Sequence, residues 1–104
     1  MARATESVAL DAYVVDALLP DLIGHDRRPS AFLVYLVLWR HADGGRASVV
    51  LSLRELAEAT GLSKRAVQSA VNVLVRRRLV ALERETPSSV PSYAVLRPWA
   101  ARRG

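Results

Sequence analysis

The tripeptide Gly61-Leu62-Ser63 divides the stretch SLRELAEATGLSKRAVQSAVNVLVRRR, residues 52–78, into two short helices joined by a sharp corner. Ser52 with Glu55 three residues on has the spacing of a capping box, in which hydroxyl and carboxylate satisfy backbone donors left free at a helix start. Leu53, Leu56 and Ala57 then share one face. Gly61 falls where a chain leaving a helix takes positive φ, a conformation cheap only without a Cβ. Ser63 is an N-cap for the second helix, which turns Val67, Ala70, Val71 and Leu74 to one side at helical spacing. Small Ala57 opposite Val67, with glycine at the corner, allows the two helices to cross closely and steeply.

Together these features form a helix-turn-helix signature. An ordinary helical hairpin can share the corner, so the outer face of the second helix decides. That face carries Lys64, Arg65, Gln68, Ser69 and Asn72, and no acid. Lysine and arginine donate to guanine acceptors, and glutamine and asparagine can pair bidentately with adenine. A merely solvated face would mix signs. The expectation is nucleic-acid binding.

Charge distribution agrees. Of the net +5, residues 1–58 hold six arginines and eight acids, whereas residues 59–104 hold eight arginines and Lys64 against only Glu83 and Glu85. The halves therefore carry −2 and +7, and the positive potential collects around the signature, as a polyanion ligand requires. A membrane surface is the competing polyanion. The basic residues do not, however, lie along a helix with large exposed apolar residues opposite, and the longest apolar run, Ala31 to Trp39, is too short to span a bilayer. No membrane contact is expected. The absence of cysteine excludes disulfides and thiolate metal sites and leaves a cytoplasmic location as the default. Glu6 and Asp11 break up the first residues, which do not read as a secretory leader.

The rest of the chain reads as a single domain of 104 residues. Residues 1–10 are expected to be loose. Tyr13, Val14, Ala17, Leu18, Leu22 and Ile23 fit a helical stripe that Pro20 should end near Leu19 or restart, with a turn over residues 24–29. Ser30 should cap a helix from Ala31 to about Ala42, apolar nearly all round and so covered on more than one side. Asp43-Gly44-Gly45 ends it. A brief strand over Ala47–Leu51, an alternating strand over Leu79–Glu85, a loop over 86–91 and a returning strand over Ser92–Leu96 follow.

A helix, a short strand, two crossed helices and a β-hairpin, in that order, resemble the winged-helix DNA-binding domains of bacterial and phage regulators and plasmid replication initiators. The matching residues are Leu53, Leu56-Ala57, Gly61-Leu62-Ser63, Val67, Leu74 and Leu79-Val80, within residues 30–97. The implied fold is mainly α with a small antiparallel β-hairpin, a winged helix-turn-helix. The resemblance further implies that the helix from Ser63 enters the major groove, flanked by the loop 86–91 as a wing. It departs at Arg78, where many members place glycine before the hairpin; a left-handed turn kept there costs about 1 kcal/mol. The wing loop TPSSVP also lacks a basic residue, leaving Ser88, Ser89, backbone amides and Arg84 to meet phosphate.

The expected organisation is an N-terminal arm with a short helix (1–29), the winged domain (30–99) and a basic tail (100–104). Lys64, Arg65 and Gln68 are candidates for reading bases. Arg54, Ser63, Ser69, Asn72, Arg76, Arg77, Arg78 and Arg84 are candidates for holding phosphates; cations at 76–78 also suit a helix C-terminus without any ligand. The expected partners are double-stranded DNA and a second copy, joined through the N-terminal segment and helix 31–42. Asp21, His25 and Asp26 read as a surface cluster rather than a metal site. No nucleophile with its base, phosphate-cradling glycine loop or carboxylate pair is visible, so neither an enzyme nor a cofactor is expected. The leading expectation is a bacterial transcriptional regulator. The alternatives are a winged-helix protein-interaction module or the DNA-binding part of a replication or phage assembly.

Overall fold

Pro29, not Ser30, opens the central helix α1 (Pro29–His41) in the computed structural model, which describes residues 6–100. Arg28 occupies the cap position and makes no side-chain cap bond. Proline suits a first helical position, since its φ is preset and its missing N–H would have had no partner there. Ala31, Val34, Tyr35 and Leu38 are fully buried, and Leu33 remains 43% exposed. The helix packs against α2 (Leu53–Thr60), α3 (Lys64–Arg76) and the last strand, and the N-terminal segment covers a further side.

That N-terminal segment restarts at Pro20, one of the two expected paths, and departs from the expected turn beginning at residue 24. It winds as two π-helical stretches, Val14–Leu18 and Pro20–His25, running straight through residues 24 and 25. Leu19 N–H donates to the Val14 carbonyl and Asp26 N–H to that of Asp21, both five residues back. Proline lacks an N–H and its ring crowds the carbonyl four residues earlier in an α-helix. A wider five-residue turn carries the chain past Pro20 without that contact. Val14, Leu18 and Leu22 recur every four residues and are all buried.

Three strands form one antiparallel sheet in the order β1 (Val49–Val50), β3 (Ser92–Val95), β2 (Val80–Glu83). The brief first strand thus joins the hairpin, with Val49 opposite Tyr93 and Val50 opposite Ser92. On the other side of β3, Leu82 faces Tyr93 and Glu83 faces Ser92. Alternation sends Val49, Val80, Tyr93 and Val95 into the core while Val50 stays 64% exposed. The Tyr35 hydroxyl donates to the Leu96 carbonyl at 2.9 Å, tying α1 to the end of the sheet. Burial pushes the pKa of that hydroxyl up.

Residues 6–10, expected to be loose, lie along α1. Trp39 Nε1–H donates to the Ala9 carbonyl at 2.7 Å, and Arg40 meets Glu6 at 3.0 Å. One oxygen of Asp11 then gathers the chain ends: Arg97 donates to it twice, at 2.9 and 2.7 Å, and the Trp99 indole once, at 2.8 Å. Trp99 in turn stacks on Tyr13 with centroids 4.5 Å apart. The Trp99 hydrogen bond, then Arg97, hold the Asp11 carboxyl below its ordinary range. Its folded pKa therefore lies under the unfolded value of about 3.9. The stability it supplies is complete above that value and disappears as pH falls through the folded pKa. Asp11→Asn should lower the melting temperature by a constant amount from pH 7 to 5, and the gap should close at lower pH. A gap unchanged at pH 3 would exclude the charge as the cause.

No described helix is long and apolar enough to cross a membrane. Of the expected basic tail 100–104, residues 101–104 lie outside the described residues.

Candidate nucleic-acid interface

Both helices of the motif start as their sequences require. Glu55 N–H donates to Ser52 Oγ at 3.0 Å and Ser52 N–H donates to Glu55 Oε1 at 2.8 Å, completing the capping box of α2. Ser63 Oγ accepts from Ala66 N–H at 3.0 Å and opens α3. Between them Gly61 takes φ +80°. A Cβ there would meet nothing within 4 Å, so glycine serves the left-handed backbone and not the close helix approach expected of it. Thr60 braces the corner, a role the sequence reading missed: its hydroxyl donates to the Leu56 carbonyl at 2.8 Å and accepts from Leu62 N–H at 3.2 Å. Helical threonine often bonds back in this way, but only the fold reveals that Leu62 uses the same oxygen.

Burial of Val67, Ala70, Val71 and Leu74, joined by Val73, fixes the rotation of α3. Lys64, Arg65, Gln68, Ser69, Asn72 and Arg76 are consequently all exposed. Gln68 Nε2 donates to Asn72 Oδ1 at 3.1 Å, an exposed bond one turn long that a base edge can replace. Arg54 reaches Glu58 at 3.4 Å with both side chains mostly in solvent, a pairing worth little and easily exchanged.

The sheet brings a third element to this surface. Arg54, Lys64 and Arg84 line one cleft of about 310 Å³ together with Ser52, Ser88 and Ser89, between the starts of α2 and α3 and the loop 86–91. Arg84 Nη1 donates to the Pro87 carbonyl at 3.1 Å, which lays its guanidinium over the uncharged loop. Ser89 Oγ is engaged inside the loop, donating to the Thr86 carbonyl and accepting from Thr86 N–H. Arg84 thus brings to the loop the positive charge its own sequence lacks.

The three arginines ending α3 do not act alike. Arg77 is half-buried and pairs with Asp21 and Asp26 of the N-terminal segment, which winds alongside it. The fold commits it to a tie between the two elements, and Arg76 and Arg78 are the pair left exposed. The ligand atoms of Asp21, His25 and Asp26 lie within 4.8 Å of one another. With a guanidinium already balancing both carboxylates, the cluster makes no case for a metal. A hydrogen bond from His25, followed by the charge of Arg77, holds the Asp26 carboxyl below its ordinary range.

Arg78 keeps the left-handed turn, at φ +60°. Leu79 N–H reaches back to the Leu74 carbonyl at 2.9 Å and Arg78 N–H to that of Val75 at 3.0 Å, the two bonds of a Schellman cap. Leu79 is buried beside Leu74, which supplies the apolar contact such caps use. Arg78→Gly should relieve about 1 kcal/mol of strain. That corresponds to a rise in melting temperature of about 4–8 °C. A melting temperature that stays level or falls would remove the strain argument.

A family described as "Helix-turn-helix domain" matches residues 28–80, just over half of the chain, ending at the first residue of β2. No curated protein and no solved structure matches.

Proposed function

Because the chain belongs to this helix-turn-helix domain family, we propose that it is a transcriptional regulator that reads the major groove of double-stranded DNA with α3. The observation that carries the reading is the exposed, acid-free face of α3 beside the cleft of Arg54, Lys64 and Arg84. Lys64, Arg65 and Gln68 face base edges. Arg54, Ser63, Ser69, Asn72, Arg76, Arg78 and Arg84 hold the flanking phosphates, and the helix start at Ser63 favours an anion in addition. Arg77 takes no part. The role is binding, with no catalytic step.

A homodimer on an inverted repeat suits this reading. Val15 and Ile23 on the N-terminal segment and Leu33 on α1 are 47%, 37% and 43% exposed, on the two elements expected to pair. Binding an inverted repeat requires the two α3 helices to reach successive major grooves, roughly 34–36 Å apart.

The test is fluorescence anisotropy of a labelled duplex over a range of salt, alongside light scattering of the free protein. Four exposed arginines on phosphates per protomer give a slope of log affinity against log salt of roughly −3.6, or roughly −7 for a dimer. Leu33→Asp should yield monomers with about half that slope. Affinity indifferent to salt would overturn the DNA reading, and an unchanged mass for Leu33→Asp would overturn the dimer surface.

A further inference from the structure

The two acids of the basic half are not scattered. Glu83 and Glu85, the sole carboxylates after Glu58, both line one open groove of about 800 Å³ beside β1 and the hairpin. Strand register explains the arrangement. Val50 and Glu83 are both partners of Ser92, so valine, hydroxyl and carboxylate form one row across the three strands. Directly paired residues point to the same side of a sheet, and this side faces away from the core. Val90, 51% exposed, adds to the apolar lining, with Val50 64% exposed at its edge; Leu82, the partner of buried Tyr93, turns toward the core. No ion pair among the described residues engages Glu83 or Glu85.

Carboxylates free of ion pairs repel a phosphate backbone, and exposed valines gain nothing from one. The groove is therefore dressed for a different ligand from the basic cleft, although Arg84, Ser89 and Val90 border both. We propose that it docks a cationic, aliphatic segment of a partner protein. The aliphatic side chains cover Val50 and Val90, and arginines or lysines pair with Glu83 and Glu85. An extended segment suits the place, because β1 is an edge strand of two residues with one side unpaired in the sheet. Since the groove abuts the wing, such a partner would sit next to bound DNA. The inference rests on the groove alone and stands whether or not α3 reads DNA.

The probe is the peptide acetyl-Arg-Val-Arg-Leu-Arg-amide, titrated into the isotope-labelled full chain and followed by amide shifts. Acetyl-Arg-Ser-Arg-Ser-Arg-amide is the control for charge alone. Shifts should cluster at Val50, Glu83, Glu85 and Val90. The aliphatic peptide should bind more tightly than the serine peptide. Glu83→Gln with Glu85→Gln should weaken it about tenfold, as should Val50→Ser; all three positions are exposed, so the fold is retained. Equal binding of both peptides, shifts centred on Asp21 and Asp26, or no effect of the double variant would each overturn the proposal. Shifts at the groove on raising protein concentration without peptide would assign it to a second copy and overturn it as well. A gain in duplex affinity for the double variant that exceeds its change in net charge would turn the groove toward DNA, with the same consequence.

Discussion

Arg65→Ala is expected to abolish recognition of a selected operator while leaving weak, general duplex binding in place. Arg65 is exposed one residue into α3 and makes no hydrogen bond or ion pair among the described residues, so its guanidinium is free to fork onto guanine O6 and N7. Loss of one such pair costs about 1–3 kcal/mol. In a symmetric dimer the loss occurs in both half-sites, about 2–6 kcal/mol in all, and it should be confined to one base pair of each. Removing a phosphate contact behaves differently. Arg76→Ala should weaken all duplexes alike and lower the salt slope by about one per protomer. The comparison is made by anisotropy on the selected site, single-base variants of it and a random duplex. If Arg65→Ala lowered affinity equally on all of them, its role would be phosphate contact, with DNA binding itself untouched.

Leu74→Ala should be among the most damaging single truncations in the motif for folding. Leu74 has no exposed surface, and its carbonyl accepts the closing bond of the Schellman cap from Leu79 N–H. Removing a buried leucine side chain costs about 2–5 kcal/mol, the range reflecting how far neighbours can collapse into the space. A domain of this length has a total stability of about 5–15 kcal/mol. The melting temperature should accordingly fall by about 10–30 °C. Val75→Ala, one residue on but 41% exposed, should cost about 0.5 kcal/mol or less. Equal effects of the two would mean that α3 is rotated from the position its burial pattern indicates.

Local chemistry made most of the motif readable from the chain. A serine with glutamate three residues on can cap a helix through its own short side chains, and the pair does so at Ser52 and Glu55. Glycine at 61 marks a left-handed residue because few other residues adopt one at so little cost. Apolar residues at helical spacing fixed the inner face of α3, and with it the outward set Lys64, Arg65, Gln68, Ser69 and Asn72, all of which are exposed. Arg78 was legible as a strained position only through the resemblance, which places glycine there, and it does take φ +60°.

Long-range partnerships were not written in any local pattern. Arg77 sits between two arginines of identical type, and only the path of the N-terminal segment separates it from them by supplying Asp21 and Asp26. That path depends on how the backbone passes Pro20, where a wider winding competes with an end to the helix. Asp11 and the pair Arg97 and Trp99 are more than 80 residues apart, a separation for which no spacing rule exists. The same holds for the cleft of Arg54, Lys64 and Arg84, and for the row Val50, Ser92, Glu83, which the pairing of β1 with β3 creates. The chain by itself determined α2 and α3, their caps at Ser52 and Ser63 and the basic outer face of α3, because those follow from interactions within four residues. Tertiary structure alone decided which charges are paired and which surfaces adjoin, because these depend on packing between distant segments.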